Sequence, residues 1–209
     1  MAWLDFVIGH FVPERLIVRF KEERNVAGLV RLLERGEPYI RHLAAGALGE
    51  LEDPAALDAL LAALAGPDGE GVRWRAAEGL ARLGPPAVDG LSALTSSGDP
   101  DVRWKAIVAL GDSGDPRAVP VLCACLADRD RFVRRRAVSA LARFGPASLQ
   151  TLLQALSDRD PLVREGAARA LGQLGDPGAI DGLIEALNDP VESVRRAVAA
   201  SLITLNPEG

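Results

Sequence analysis

From Asp160 onward, apolar and polar positions follow a helical period. Val163, Ala167, Leu171 and Leu174 recur at intervals of four, four and three residues, one stripe on a helix that turns ~100° per residue. Asp160-Pro161 reads as the helix start. The aspartate side chain accepts from N–H groups with no helical partner, and proline at the first helical position forfeits no bond. Gly175 is the predicted stop, and Asp176-Pro177 opens a second helix with Ile180, Leu183, Ile184 and Leu187 as its stripe. No strand-like alternation competes, so the unit is a helical hairpin.

The rest of the chain is an imperfect copy of this unit. Ile40-Arg41, Val72-Arg73, Val102-Arg103, Val133-Arg134, Val163-Arg164 and Val194-Arg195 open six similar helices, their arginines spaced 32, 30, 31, 30 and 31 residues apart. A fixed period near thirty marks units that bury their apolar faces only by stacking on neighbours. The predicted fold is all-α: a right-handed α-solenoid of about six stacked antiparallel helix pairs. Residues 1–23 fall outside the period and read as an N-terminal cap. The array then runs over 24–205, with repeats at about 24–52, 53–83, 84–113, 114–144, 145–174 and 175–205, and 206–209 form a tail. Pro120, close behind Asp115-Pro116, predicts a late start or a kink in its helix.

Composition changes this picture little. The chain is 48% apolar, 25% charged and only 4% aromatic, which suits thin helix pairs packed through small residues. Cys123 and Cys125 stand two apart on one predicted helix and point to different faces, so they do not pair, and a reducing, cytoplasmic setting is expected. The opening MAWLDFVIGHFV carries Asp5 and lacks a basic leader; membrane contact is expected only through residues 1–12, if anywhere.

The segments Val163–Leu187 and Val102–Leu126 carry the words VRxxAAxALGxLGDPxAIxxLxxAL in their best form. They resemble the HEAT-like repeats of the phycobilisome-lyase type. The resemblance implies an armadillo-like helical superhelix over about residues 25–205, and a function somewhere among binding scaffolds, bilin lyase subunits and deoxyhypusine hydroxylase. The hydroxylase holds iron on repeated His-Glu pairs, whereas here His10 precedes Phe11 and His42 precedes Leu43. No zinc-like Cys/His cluster or serine nucleophile motif is present, so no catalytic residue, metal or cofactor is expected.

Helical geometry then sorts the candidate binding residues. With the Val of each Val-Arg helix at zero, positions +4, +8 and +11 join it in the core. The arginine at +1 lies at the border, where Glu37–Arg41, Asp99–Arg103, Asp130–Arg134 and Asp160–Arg164 form predicted i,i+4 pairs. Position +2 points away from the core and is occupied by His42, Trp74, Trp104, Arg135, Glu165 and Arg196. Tyr39 and Phe132 at −1 lie on the same side, with Arg75, Lys105 and Arg136 at +3 beside them. Two adjacent exposed indoles read as anchors of a partner-binding ridge. If their own chain covered most of both, they would be packing residues instead. The six Val-Arg helices together hold fourteen basic and four acidic residues, net +10, against net −15 for the remainder. An overall charge of −5 thus hides a basic inner face, which predicts an acidic protein partner and a non-catalytic scaffold or adaptor. The alternatives are a bilin lyase-like chaperone subunit and nucleic-acid binding on the same face, as in HEAT-like DNA glycosylases. The last Val-Arg helix lacks a following partner, and Ile203 stands where its equivalents are Gly or Ala, which predicts a homodimer through the C-terminal end.

Overall fold

The computed structural model describes residues 13–205 except Asp68, and every regular element in that range is helical. Helix α1 (Pro13–Glu22) is followed by six pairs: α2 (Val26–Arg35) with α3 (Pro38–Leu51), α4 (Leu57–Ala65) with α5 (Glu70–Leu83), α6 (Val88–Leu94) with α7 (Pro100–Ser113), α8 (Ala118–Ala124) with α9 (Arg131–Arg143), α10 (Pro146–Ala155) with α11 (Pro161–Leu174), and α12 (Ile180–Glu185) with α13 (Glu192–Leu205). The architecture is an α-solenoid. Ile17 and Phe20 of α1 are buried against the first pair. The rest of the expected cap, its membrane contact at residues 1–12, and the 206–209 tail lie outside the described residues.

Local chemistry sets the element ends. Asp99, Asp130 and Asp160 accept from the N–H groups of Asp101, Phe132 and Leu162 at 2.8, 2.7 and 2.8 Å, each starting a second helix. Gly175, at φ 75°, closes α11 in the left-handed conformation that a Cβ disfavours. Asp53 and Asp176 bond the N–H two residues on, but a 3-10 turn (Pro54–Ala56, Pro177–Ala179) intervenes before the α-helix. These first helices therefore begin about a turn later than the Asp-Pro signal suggests. Pro120 does not delay the start of its helix. Helix α8 begins three residues after Asp115, against four at Asp53 and Asp176, and Pro120 is its third residue, where no intrahelical N–H bond is due.

The core follows the predicted stripes. Ile40, Val72, Val102, Val133, Val163 and Val194 are buried, as are Ala44, Ala76, Ala106, Ala137, Ala167 and Val198 four residues later. Successive second helices pack directly on one another, and small residues set their spacing: a Cβ on Gly49 would come 2.7 Å from the Gly79 Cα. The first helices touch their successors less closely. A stack bends toward its tighter row, so α3, α5, α7, α9, α11 and α13 line the concave side.

The arginine ladder is structural, but the i,i+4 pairing does not form for Arg103, Arg134 or Arg164, whose aspartates four residues earlier cap the helices instead. These arginines bind loop carbonyls of their own repeat, and two of them also reach the next repeat. Arg103 forms a bidentate pair with Asp128 at 2.7 and 2.9 Å, and Arg164 one with Asp189 at 2.6 and 3.0 Å. Arg73 holds Asp99 at 2.8 Å and Asp101 at 2.9 Å, together with the Gly66 carbonyl. Glu37, unlike these aspartates, makes no side-chain cap on α3.

Candidate functional site

The concave row brings most of the predicted ridge together. The Trp74 and Trp104 rings lie 5.7 Å apart, tilted by 35°, and Phe132 meets Trp104 edge-on at 5.7 Å. These rings come from α5, α7 and α9, one per repeat, because residues at +2 and −1 fall in register when helices stack. Cations fill the gaps. Lys105 Nζ sits 4.3 Å from the Trp104 ring centre, Arg136 lies over Phe132 at 4.6 Å and over Trp104 at 5.4 Å, and Arg135 lies 5.3 Å from Phe132.

This stacking changes what the rings can do. Trp74 keeps 37% of its surface exposed, and Trp104 is partly buried against the core. Both indole N–H groups are held within the chain, Trp74 by Glu78 and Trp104 by Asp101, each at 3.0 Å. The expectation of two exposed anchors is thus corrected for Trp104, which packs partly into the stack, while Trp74 remains exposed. Lys105 is a second correction. It is 1% exposed, its ammonium turned back to Asp101 beneath the Trp104 ring, and it faces no solvent.

The remaining candidates stay accessible to differing degrees. Tyr39 is 58% exposed but stands apart; among the described residues no ring contact joins it to Trp74. His42 is half-buried and accepts from Arg75 Nε at 3.4 Å, while Arg75 also pairs with Glu78 at 3.0 Å. Arg135 is exposed and forms no ion pair among the described residues. Arg136 is half-buried, and its Nε has no hydrogen-bond partner.

Burial would raise the Asp101 carboxyl, yet hydrogen bonds from Lys105, Arg73 and Trp104 hold it below the ordinary carboxylate range, so it stays ionised inside the stack. Burial pushes the Cys125 thiol up to about 11, which removes it as a nucleophile at neutral pH, and both cysteines are free. Among the described residues no group of three or more His, Cys, Asp or Glu side chains is placed to hold a metal, and no helix is long and apolar enough to cross a membrane.

Sequence reasoning missed two sets of residues. The acceptors Asp128 and Asp189 recur 25 residues after their arginines, a period that was there to be read. A groove between α9 and α11, lined by Arg131, Arg135, Phe132, Leu162, Glu165 and Arg169, was not foreseen, because it depends on how far apart two helices lie.

A sequence model of HEAT repeats matches residues 15–81, 70–142 and 126–203. Among solved structures, the complex of CpcE and CpcF of phycocyanin lyase from Nostoc sp. PCC7120 is 26% identical to this chain, covering 71% of it and 99% of that chain, with a TM-score of 0.50. The archaeal HEAT-like repeats protein from Thermococcus onnurineus NA1 is 14% identical, covering 99% of this chain and 97% of that one, with a TM-score of 0.51. No curated protein sequence matches.

Proposed function

We propose, from the premise that this chain belongs to the family of HEAT-repeat proteins, that it is a non-catalytic scaffold whose concave row of second helices docks an acidic protein partner. The observation that carries the reading is the wall itself, where aromatic rings from successive repeats are half-covered and, on α9, the Arg135 and Arg136 guanidinium groups, without an acidic partner among the described residues, border them. Charges so placed steer an acidic partner and set its register, and an aromatic floor supplies contact area at low entropic cost. The similar phycocyanin lyase structure is itself a complex of two chains, which supports a protein as the partner.

The same structure supports a rival reading, a lyase-type subunit that handles a bilin. A display selection with peptides of both charge signs tests the proposal. Acidic sequences should be enriched, with binding that outlasts competition by duplex DNA and by a linear tetrapyrrole. Tighter binding of DNA, with the steep salt dependence of phosphate contacts, or an absorbance shift of the tetrapyrrole on mixing, overturns it.

A second copy is proposed at the C-terminal end. Ile203 is 71% exposed, and Leu187 is exposed where its equivalents Leu126 and Leu156 are buried by the next repeat. Ile203 takes the place of the small residues that let helices approach, so regular continuation of the stack is blocked, and a closed pair is expected rather than a filament. Sedimentation should show a dimer that Ile203→Lys dissociates; a monomer at every accessible concentration sinks this part of the proposal.

A further inference from the structure

The ladder of inter-repeat arginine clamps has a gap. Arg103 reaches Asp128, and Arg164 reaches Asp189, across 25 residues, and these carboxylates are only 9% and 7% exposed. Arg134 is the equivalent arginine between them. It donates to the carbonyls of Asp128 and Arg129 in its own repeat, while Asp158, the equivalent acceptor, is exposed and receives only the Asp160 N–H. The spacing explains the gap. Asp158 follows Arg134 by 24 residues, one fewer than in these two clamped pairs, and it lacks the 3-10 turn (Cys125–Ala127, Ala186–Asn188) that stands directly before Asp128 and Asp189.

The junction left unclamped, α9 on α11, is where the concave wall opens into a groove. Its floor is apolar: Phe132 and Val138 on one side and Leu162, 37% exposed, on the other. Its rim is cationic. Arg131 and Arg135 are exposed and form no ion pair among the described residues, and Glu165, the only acid in the lining, is already held by Arg169 at 2.7 Å. An apolar floor under an uncompensated cationic rim complements one chemistry, a chain with carboxylates flanking an apolar side chain.

We infer that the α9–α11 groove is the primary docking cleft of the array and takes an acidic peptide segment of a protein partner, its apolar side chain seated on Phe132 and Leu162 and its carboxylates on Arg131 and Arg135. This assignment rests on the scaffold reading and narrows it to one junction. Arg134, which among the described residues receives no carboxylate from the next repeat, adds a third cation to the lining. At α7–α9 and α11–α13 the carboxylate of the next repeat already occupies the arginine.

The test is fluorescence anisotropy with a labelled synthetic peptide in which Glu and Asp flank a single Leu and Phe, beside a control in which Lys replaces the acids. The acidic peptide should bind and the lysine control should not. The double variant Arg131→Ala, Arg135→Ala should weaken binding at least tenfold, and Leu162→Ser should weaken it without altering the salt dependence. Arg31→Ala, on a first helix outside the wall, should leave binding unchanged. Circular dichroism melts check that each variant folds. Binding that survives the Arg131, Arg135 pair but is lost with Arg75→Ala, elsewhere on the same wall, overturns the groove assignment while the scaffold reading stands. If no acidic peptide binds and duplex DNA does, both fail.

Discussion

Trp104 shows how one residue changes role between sequence and structure. By its position it points away from its own helix core, but Trp74, Phe132, Lys105 and Arg136 from three successive repeats close around it. A substitution there removes ring contacts and uncovers a buried ammonium. Trp104→Ala should therefore destabilise the fold by about 2–3 kcal/mol, toward the range for a large core aromatic. Trp74→Ala, at the exposed end of the stack, should cost about 1 kcal/mol or less. Equal and negligible losses for the two in chemical denaturation would show that the stack contributes nothing to stability.

At the scale of the element, one second-helix ending breaks the pattern of the other second helices. Gly84, Gly114, Gly145 and Gly175 follow their helices at positive φ, and Glu52 occupies the same place after α3 at φ 51°, ψ 32°. A side chain in this left-handed region costs about 1–2 kcal/mol. Glu52→Gly should raise stability by about 0.5–1 kcal/mol, less than the full strain because glycine also gains freedom in the unfolded chain. The melting temperature decides the matter: a fall on this substitution would mean that Glu52 makes a contact worth more than its strain.

Across the whole molecule, stability depends on junctions between repeats, since each pair contacts mainly its neighbours. The clamps make that dependence sensitive to pH. The Arg164 guanidinium, with a further bond from the Val191 N–H, holds the Asp189 carboxyl below the ordinary carboxylate range. A folded-state pKa below the unfolded one stabilises the protein above the unfolded value of about 4 and is lost as pH falls through the folded one. Thermal stability should thus hold from neutral pH down to about pH 4 and decline below it. Asp189→Asn should lower the neutral plateau and flatten the acid decline; an unchanged acid limb would place the pH sensitivity elsewhere.

The period of the Val-Arg pairs, their small residues at +4 and the Asp and Gly signals at element ends were enough to read an α-solenoid from the chain alone. These are local preferences repeated until they agree, and each repeat meets the same environment as the one before. The concave row and the meeting of Trp74, Trp104 and Phe132 were legible for the same reason, because register passes unchanged along a regular stack. What the tertiary structure alone decided depends on distances between helices. Lys105 is buried while Arg135, one position earlier in its helix, is exposed. Arg103 finds Asp128 while Arg134 misses Asp158. A one-residue change in a connection is slight as sequence, but it moves a carboxylate by several ångströms, enough to leave one arginine of the ladder without its clamp.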